Sequence, residues 1–140
     1  MRVLSVTAQK PCSTGSGVYL TEVVRSLTKM GVSQAVVAGV TREDRVDIPE
    51  GVTVYPVYFS SEKLPYPVVG MSDDMPYTST RYRDMTEEMA GQFKAAFLEV
   101  LDEAIEKENP DIILCHHLYY LTALIRAHYP AKKVYGFCHN

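Results

Sequence analysis

Two parts of the chain hold residue types that chemistry would use: Ser13-Thr14-Gly15-Ser16-Gly17 near the start, and the histidines of Cys115-His116-His117 and Cys138-His139. Glycines permit a tight turn. A helix beginning there would aim its N–H groups and dipole outward, which suits an anion such as a phosphate. Gly15, Ser16 and Gly17 are therefore candidate binding residues. The GxGxxG dinucleotide pattern fails, because Leu20 holds the third glycine position and no acidic residue closes the second strand at Val40-Thr41. A Walker A loop fails as well, since Gly-Lys-Ser/Thr is missing. The competing account is that Gly15 and Gly17 only let a helix pack close to a sheet.

Histidine titrates near neutrality, so His116, His117 and His139 are candidates to touch a substrate or carry a proton. The doubled Cys-His pattern raises a zinc site, but adjacent side chains point apart and the two-residue gap usual between ligands is absent. No metal ion and no cofactor are expected. Cys115 and Cys138 read as small buried hydrophobes, and Tyr119 and Tyr120 as packing. His128, beside Tyr129-Pro130, reads as a partner of a helix C-terminal dipole. The loop MSDDMPYTSTRY, Met71–Tyr82, mixes Asp73, Asp74, Tyr77, Arg81 and Tyr82 without a catalytic spacing. Tyrosines with carboxylates suit sugar hydroxyls and equally suit a solvated loop. No Ser/His/Asp elbow and no helix of paired carboxylates is legible.

The elements that must position these residues alternate. Val3–Thr7 reads as a buried strand, and Val18–Met30 as a helix starting directly after the glycines, with Leu20, Val23, Val24, Leu27 and Met30 inward and Gly31 as its cap. Gln34–Val40 and Val52–Phe59 read as strands, the second marked by Pro56 as an edge, an end or a bulge. Ser60–Arg83 has no period and is long for a connection, a property of loops that carry function. A helix follows from Asp84, with Asp84 and Glu87 as a capping box and Asn109-Pro110 as its end. Met85, Met89, Phe93, Phe97, Val100, Leu101, Ala104 and Ile105 trace its apolar face. Asp111–Cys115 (strand), Leu118–His128 (helix) and Lys133–Cys138 (strand) complete the pattern. Continuous apolar strands alternating with helices predict an α/β, Rossmann-like parallel sheet with helices on both faces. Ligands of such sheets bind beyond the carboxyl ends of the strands, which puts Gln9–Gly17, His116–Tyr119 and Cys138–Asn140 on one rim.

With 140 residues, 46% hydrophobic and 22% charged, the chain is long enough for one globular domain and too short for two. A net charge of −3 offers no positive field for a nucleic-acid backbone, so no nucleic-acid partner is expected. Three cysteines, an odd set, suit a reducing compartment, and a cytoplasmic location is expected. The opening residues are too short for a signal h-region, and no apolar run reaches a membrane span. Attachment at the membrane periphery stays open.

In order along the chain, TGSGVYLTEVVRSLTKMG, VVGMSDDMPY, PDIILCHHLYYLTALIR and FCHN resemble the retaining nucleotide-sugar-dependent glycosyltransferases with two Rossmann-like domains, the family 4 or glycogen-synthase-like group of GT-B fold. The resemblance implies that residues 1–140 are the amino-terminal, acceptor-side half of such an enzyme, moving a sugar from a nucleotide-diphosphate sugar to an acceptor hydroxyl. It implies that Gly15, Ser16 and Gly17 face the interdomain cleft near the diphosphate and the acceptor. It also implies that His139 lines the reaction centre and that His117 is a rim histidine of variable role. Relatives usually carry glycine after the last histidine, where this chain has Asn140. The family's carboxyl-terminal nucleotide-sugar domain has no counterpart here, so an incomplete fragment, inactive alone, is expected. Two alternatives stand beside this reading: a stand-alone Rossmann-type binding or regulatory domain, and a nucleotide-sugar epimerase of the same two-domain plan.

Overall fold

The computed structural model describes residues 1–139. Asn140, the last residue expected on the rim, lies outside them. The strands are β1 (Arg2–Thr7), β2 (Ser33–Val40), β3 (Thr53–Tyr58), β4 (Val69–Gly70), β5 (Thr80–Arg81), β6 (Ile112–His116) and β7 (Lys133–Phe137). The helices are α1 (Gly15–Lys29), α2 (Glu87–Glu108) and α3 (Tyr120–His128), with one 3-10 turn at Tyr82–Asp84. Five strands form one parallel sheet in the order β3-β2-β1-β6-β7. The predicted α/β, Rossmann-like architecture is present. Pro56 lies in β3, an edge strand, where its missing N–H costs no sheet bond on the open side.

Period-two alternation divides the apolar residues between two layers. Leu4, Val6, Ala35, Val37, Ile113 and Cys115 pack with Phe93, Phe97 and Leu101 of α2 and with Leu121 and Ile125 of α3. Their neighbours Val36, Ala38 and Val40 pack on the opposite face with Leu20 and Val24 of α1. Helices thus cover both faces, as continuous apolar strands require. At roughly 1.5–3 kcal/mol per fully buried large apolar side chain, this two-sided core is the main stabilising term. Among the described residues no helix is long and apolar enough to cross a membrane.

Three of the differences from the sequence reading have a plain physical cause. Helix α1 starts at Gly15 rather than Val18, because the Thr14 side chain caps it by accepting from the Gly17 N–H. The glycines are its first turn and not the loop before it. Helix α2 is capped by Thr86, which accepts from the Met89 N–H, while Asp84 pairs with Arg81 instead of forming a capping box. The stretch 60–83 is not featureless, since β4 and β5 pair in parallel and fold the Met71–Tyr82 loop back on itself. Two-residue strands leave too short an alternation to be read as a period.

Candidate functional site

Strand order reverses beside β1: β2 follows it on one side and β6 lies on the other. A crevice opens at the carboxyl ends of strands where such a reversal occurs. One wall is the turn from β1 into α1, and the other is formed by the turns leaving β6 and β7. Both main turns carry a non-glycine residue with left-handed backbone, Cys12 at φ 68° and His117 at φ 80°. Such conformations concentrate at functional sites because the surrounding structure must hold them.

The β1 turn is internally bonded. Buried Gln9 donates from Nε2 to Ser16 Oγ at 3.4 Å, Ser16 shares a hydroxyl bond with Thr14 Oγ1 at 3.1 Å, and the Gly17 N–H donates to Thr14 Oγ1 at 3.0 Å. The two glycines separate in role. A Cβ on Gly17 would stand 2.8 Å from Cys12 N and 3.0 Å from Lys10 O, so Gly17 is required by packing. Gly15 has no such neighbour within 4 Å, so packing does not explain it. The first turn of α1 holds no acidic residue, which leaves its positive end uncompensated.

Opposite, the imidazoles gather. His116 lies across from Phe137 in the sheet register and stacks on it with ring centroids 4.9 Å apart. His139 lies parallel to His116 at 5.9 Å and edge-on to His117 at 4.9 Å. Tyr19 of α1 reaches across to His139 and Phe137, each at 5.3 Å. The turn that points His117 outward is fixed at both ends. Its N–H donates to Phe137 O at 3.1 Å, and its carbonyl accepts from Thr122 Oγ1 at 2.6 Å.

His116 is 5% exposed, and among the described residues neither of its ring nitrogens has a hydrogen-bond partner; His139 Nε2 is buried without one among them too. Burial, with His139 and His117 beside it, pushes the His116 pKa down to about 4, so it is neutral at pH 7. Burial and His139 also hold His117 below the ordinary histidine value. Neutral imidazoles offer one donor and one acceptor each, which suits hydroxyl groups.

The fold brings the sequence candidates together: His117 and His139 meet edge to edge, and Tyr19 from the helix carrying Gly15, Ser16 and Gly17 packs against His139. Two side-chain expectations need correction. Cys138 is exposed, because it lies past the end of β7, whereas Cys115 is buried as expected. Tyr119 is 48% exposed and stands over Tyr82, while Tyr120 packs on Phe93 as read. Tyr19 was missed by the sequence reading, which placed Gln9 on the rim without giving it a role. The legible signal was Tyr19 itself, an aromatic placed off the inward stripe of α1. Among the described residues, no three His, Cys, Asp or Glu side chains are arranged to hold a metal ion. A hollow of about 530 Å³ lies at the other end of the sheet by Arg2, Glu50 and Lys107, away from the strand ends where ligands of this fold bind. No protein-family model matches the chain, and no curated protein matches it.

Proposed function

We propose that these residues form the acceptor-side, amino-terminal half of a retaining glycosyltransferase that moves a sugar from a nucleotide-diphosphate sugar to an acceptor hydroxyl. The observation that carries this reading is the meeting of His117, His139 and Tyr19 beside the uncompensated N-terminus of α1, at the carboxyl ends of β1, β6 and β7. In this reaction the bond from the anomeric carbon to the diphosphate oxygen breaks. The diphosphate leaves with the bonding electron pair, a bond from the anomeric carbon to the acceptor oxygen forms, and the acceptor hydroxyl's proton passes to the departing diphosphate oxygen.

In this reading the backbone N–H groups of Gly15 and Ser16 face the diphosphate as its negative charge grows. His139, with a buried nitrogen lacking a protein partner, holds a sugar hydroxyl, and His117 lies next to it. Strong cationic clamps come from the opposite wall of the cleft, a second domain. On this wall Lys10 is already paired with Asp44 at 3.0 Å. The free cysteines support a reducing, cytoplasmic setting.

The test is a transfer assay with the full-length protein containing these residues and a panel of nucleotide-diphosphate sugars. The expected result is sugar transfer, with kcat/KM lowered about 100-fold or more in His139→Ala and an unchanged circular dichroism spectrum. Unchanged kcat/KM removes His139 from the site. Release of free nucleotide with no sugar transferred to any acceptor refutes the transfer reading.

A further inference from the structure

Beside the histidines, the loop that folds over the sheet and the turn carrying Tyr119 form a groove. At His116 and His117 it narrows to a hollow of about 10 Å³, room for about one water, lined also by Met71, Tyr82 and Tyr119. The same two tyrosines wall a space of about 320 Å³ toward Asp73, Arg81 and Arg83, and one of about 380 Å³ toward Met85 and Tyr120. Both are of the size of small-molecule sites, about 300–1,000 Å³. Tyr82 and Tyr119 meet edge to face with centroids 4.5 Å apart. Their loop is tied down, since Tyr77 donates to Val69 O at 2.8 Å and Lys10 Nζ sits 5.0 Å from the Tyr77 ring centre.

From this groove we infer that the acceptor is a neutral oligosaccharide, stacked on Tyr119 and Tyr82 and hydrogen-bonded at the rim by Asp73 and Arg83. The inference rests on the transfer reading for the word acceptor, while the ligand class rests on charge and shape. Each guanidinium of the rim is already matched: Arg81 Nε lies 2.6 Å from Asp84 and Arg83 lies 2.8 Å from Asp73. An anionic ligand would gain little against cations so neutralised, and would meet the carboxylates as well. An acyl chain would strand these polar groups. A sugar ring matches both features, because its C–H face lies flat on an aromatic ring and its hydroxyls bridge a carboxylate and a guanidinium. Two hollows on either side of one tyrosine pair hold more than one ring. Burial raises the Tyr82 pKa, so its hydroxyl stays protonated and able to donate.

The experiment measures binding of the full chain to an array of immobilised neutral mono-, di- and trisaccharides and a sulfated disaccharide. Phosphatidylcholine vesicles carrying polyprenyl phosphate form the lipid arm. The expected result is binding of a neutral di- or trisaccharide, weakened about tenfold in Tyr119→Ala and kept in Tyr119→Phe. Asp73→Ala, on an exposed loop, gives a second loss of similar size by a route that does not touch packing. Tyr135→Ala, an exposed tyrosine on β7, changes nothing. Preference for the sulfated sugar or the vesicles overturns the inference, as does full binding in both Tyr119→Ala and Asp73→Ala. A full-length protein that binds neutral saccharide through these residues but transfers no sugar leaves the groove standing and removes the transfer reading. A chain that transfers sugar yet binds nothing on the array removes the groove alone.

Discussion

The two walls of the crevice are built by opposite means. On the β1 side, Gln9, Thr14, Ser16 and Gly17 bond to one another. On the β6–β7 side, both nitrogens of His116 and Nε2 of His139 are buried with no partner among the described residues. A satisfied turn is stable on its own and serves as a scaffold. Buried polar atoms left unpaired cost about 1–3 kcal/mol each, so a fold that keeps them gives up stability at that place. The first wall is thus a self-satisfied scaffold, and the second keeps buried atoms free to bond.

The largest effect expected of this contrast is on the pH dependence of stability. His116 titrates at about 4 in the folded chain, against 6.5 for a free histidine. Because the folded value is the lower one, the unfolded chain takes up a proton that the folded chain refuses. Stability is complete above about pH 6.5 and falls as the pH drops toward 4, by roughly 3 kcal/mol in all. His116→Phe keeps the stacking on Phe137 and removes the titration. Urea unfolding at pH 7, 5.5 and 4 should show the variant gaining on the natural chain as the pH falls. Parallel curves for the two would mean that His116 is not held neutral by its surroundings.

A smaller loss tests the scaffold wall. Gly17→Ala drives a methyl group against Cys12 N and Lys10 O, both backbone atoms that side-chain rotation cannot move aside. Overpacking of this kind costs about 1–3 kcal/mol. The check is the midpoint of thermal unfolding, which should drop by several degrees. A midpoint equal to that of the natural chain would show that the turn yields, and the contrast between rigid and recognising walls would weaken.

How far the sequence revealed these walls depended on the range of the forces involved. Long apolar runs such as Gln34–Val40, and the stripe from Phe93 to Ala104, report burial directly, so sheet and helices were legible. The rim position of His116 and His117 followed from their place after a strand, because parallel sheets bind ligands there. The start of α1 was missed because Thr14, not the glycines, ends the loop, a matter of one side-chain bond. Tyr119 was misread because adjacent tyrosines look alike in sequence. Packing against α2 decides which of them is covered, since Tyr120 meets Phe93 while Tyr119 stands half-exposed over Tyr82. The pairing of His116 with Phe137 depends on β6–β7 register, which no local pattern encodes.

The smallest effect separates the two roles inside the glycine turn itself. Gly15 sits in the first turn of α1, outside the positive-φ set, and a Cβ there meets nothing within 4 Å. Gly15→Ala should therefore leave stability unchanged or raise it by about 0.5 kcal/mol, since alanine restricts the unfolded chain more than glycine does. In the proposed reaction the added methyl group stands before the N–H groups that face the diphosphate. The KM for the nucleotide-sugar donor should then rise about three- to tenfold while the unfolding midpoint holds or increases. A fall in stability would place Gly15 with Gly17 as a packing residue. A gain in stability with unaltered KM would remove the N-terminus of α1 from the donor site and leave recognition to the histidine wall alone.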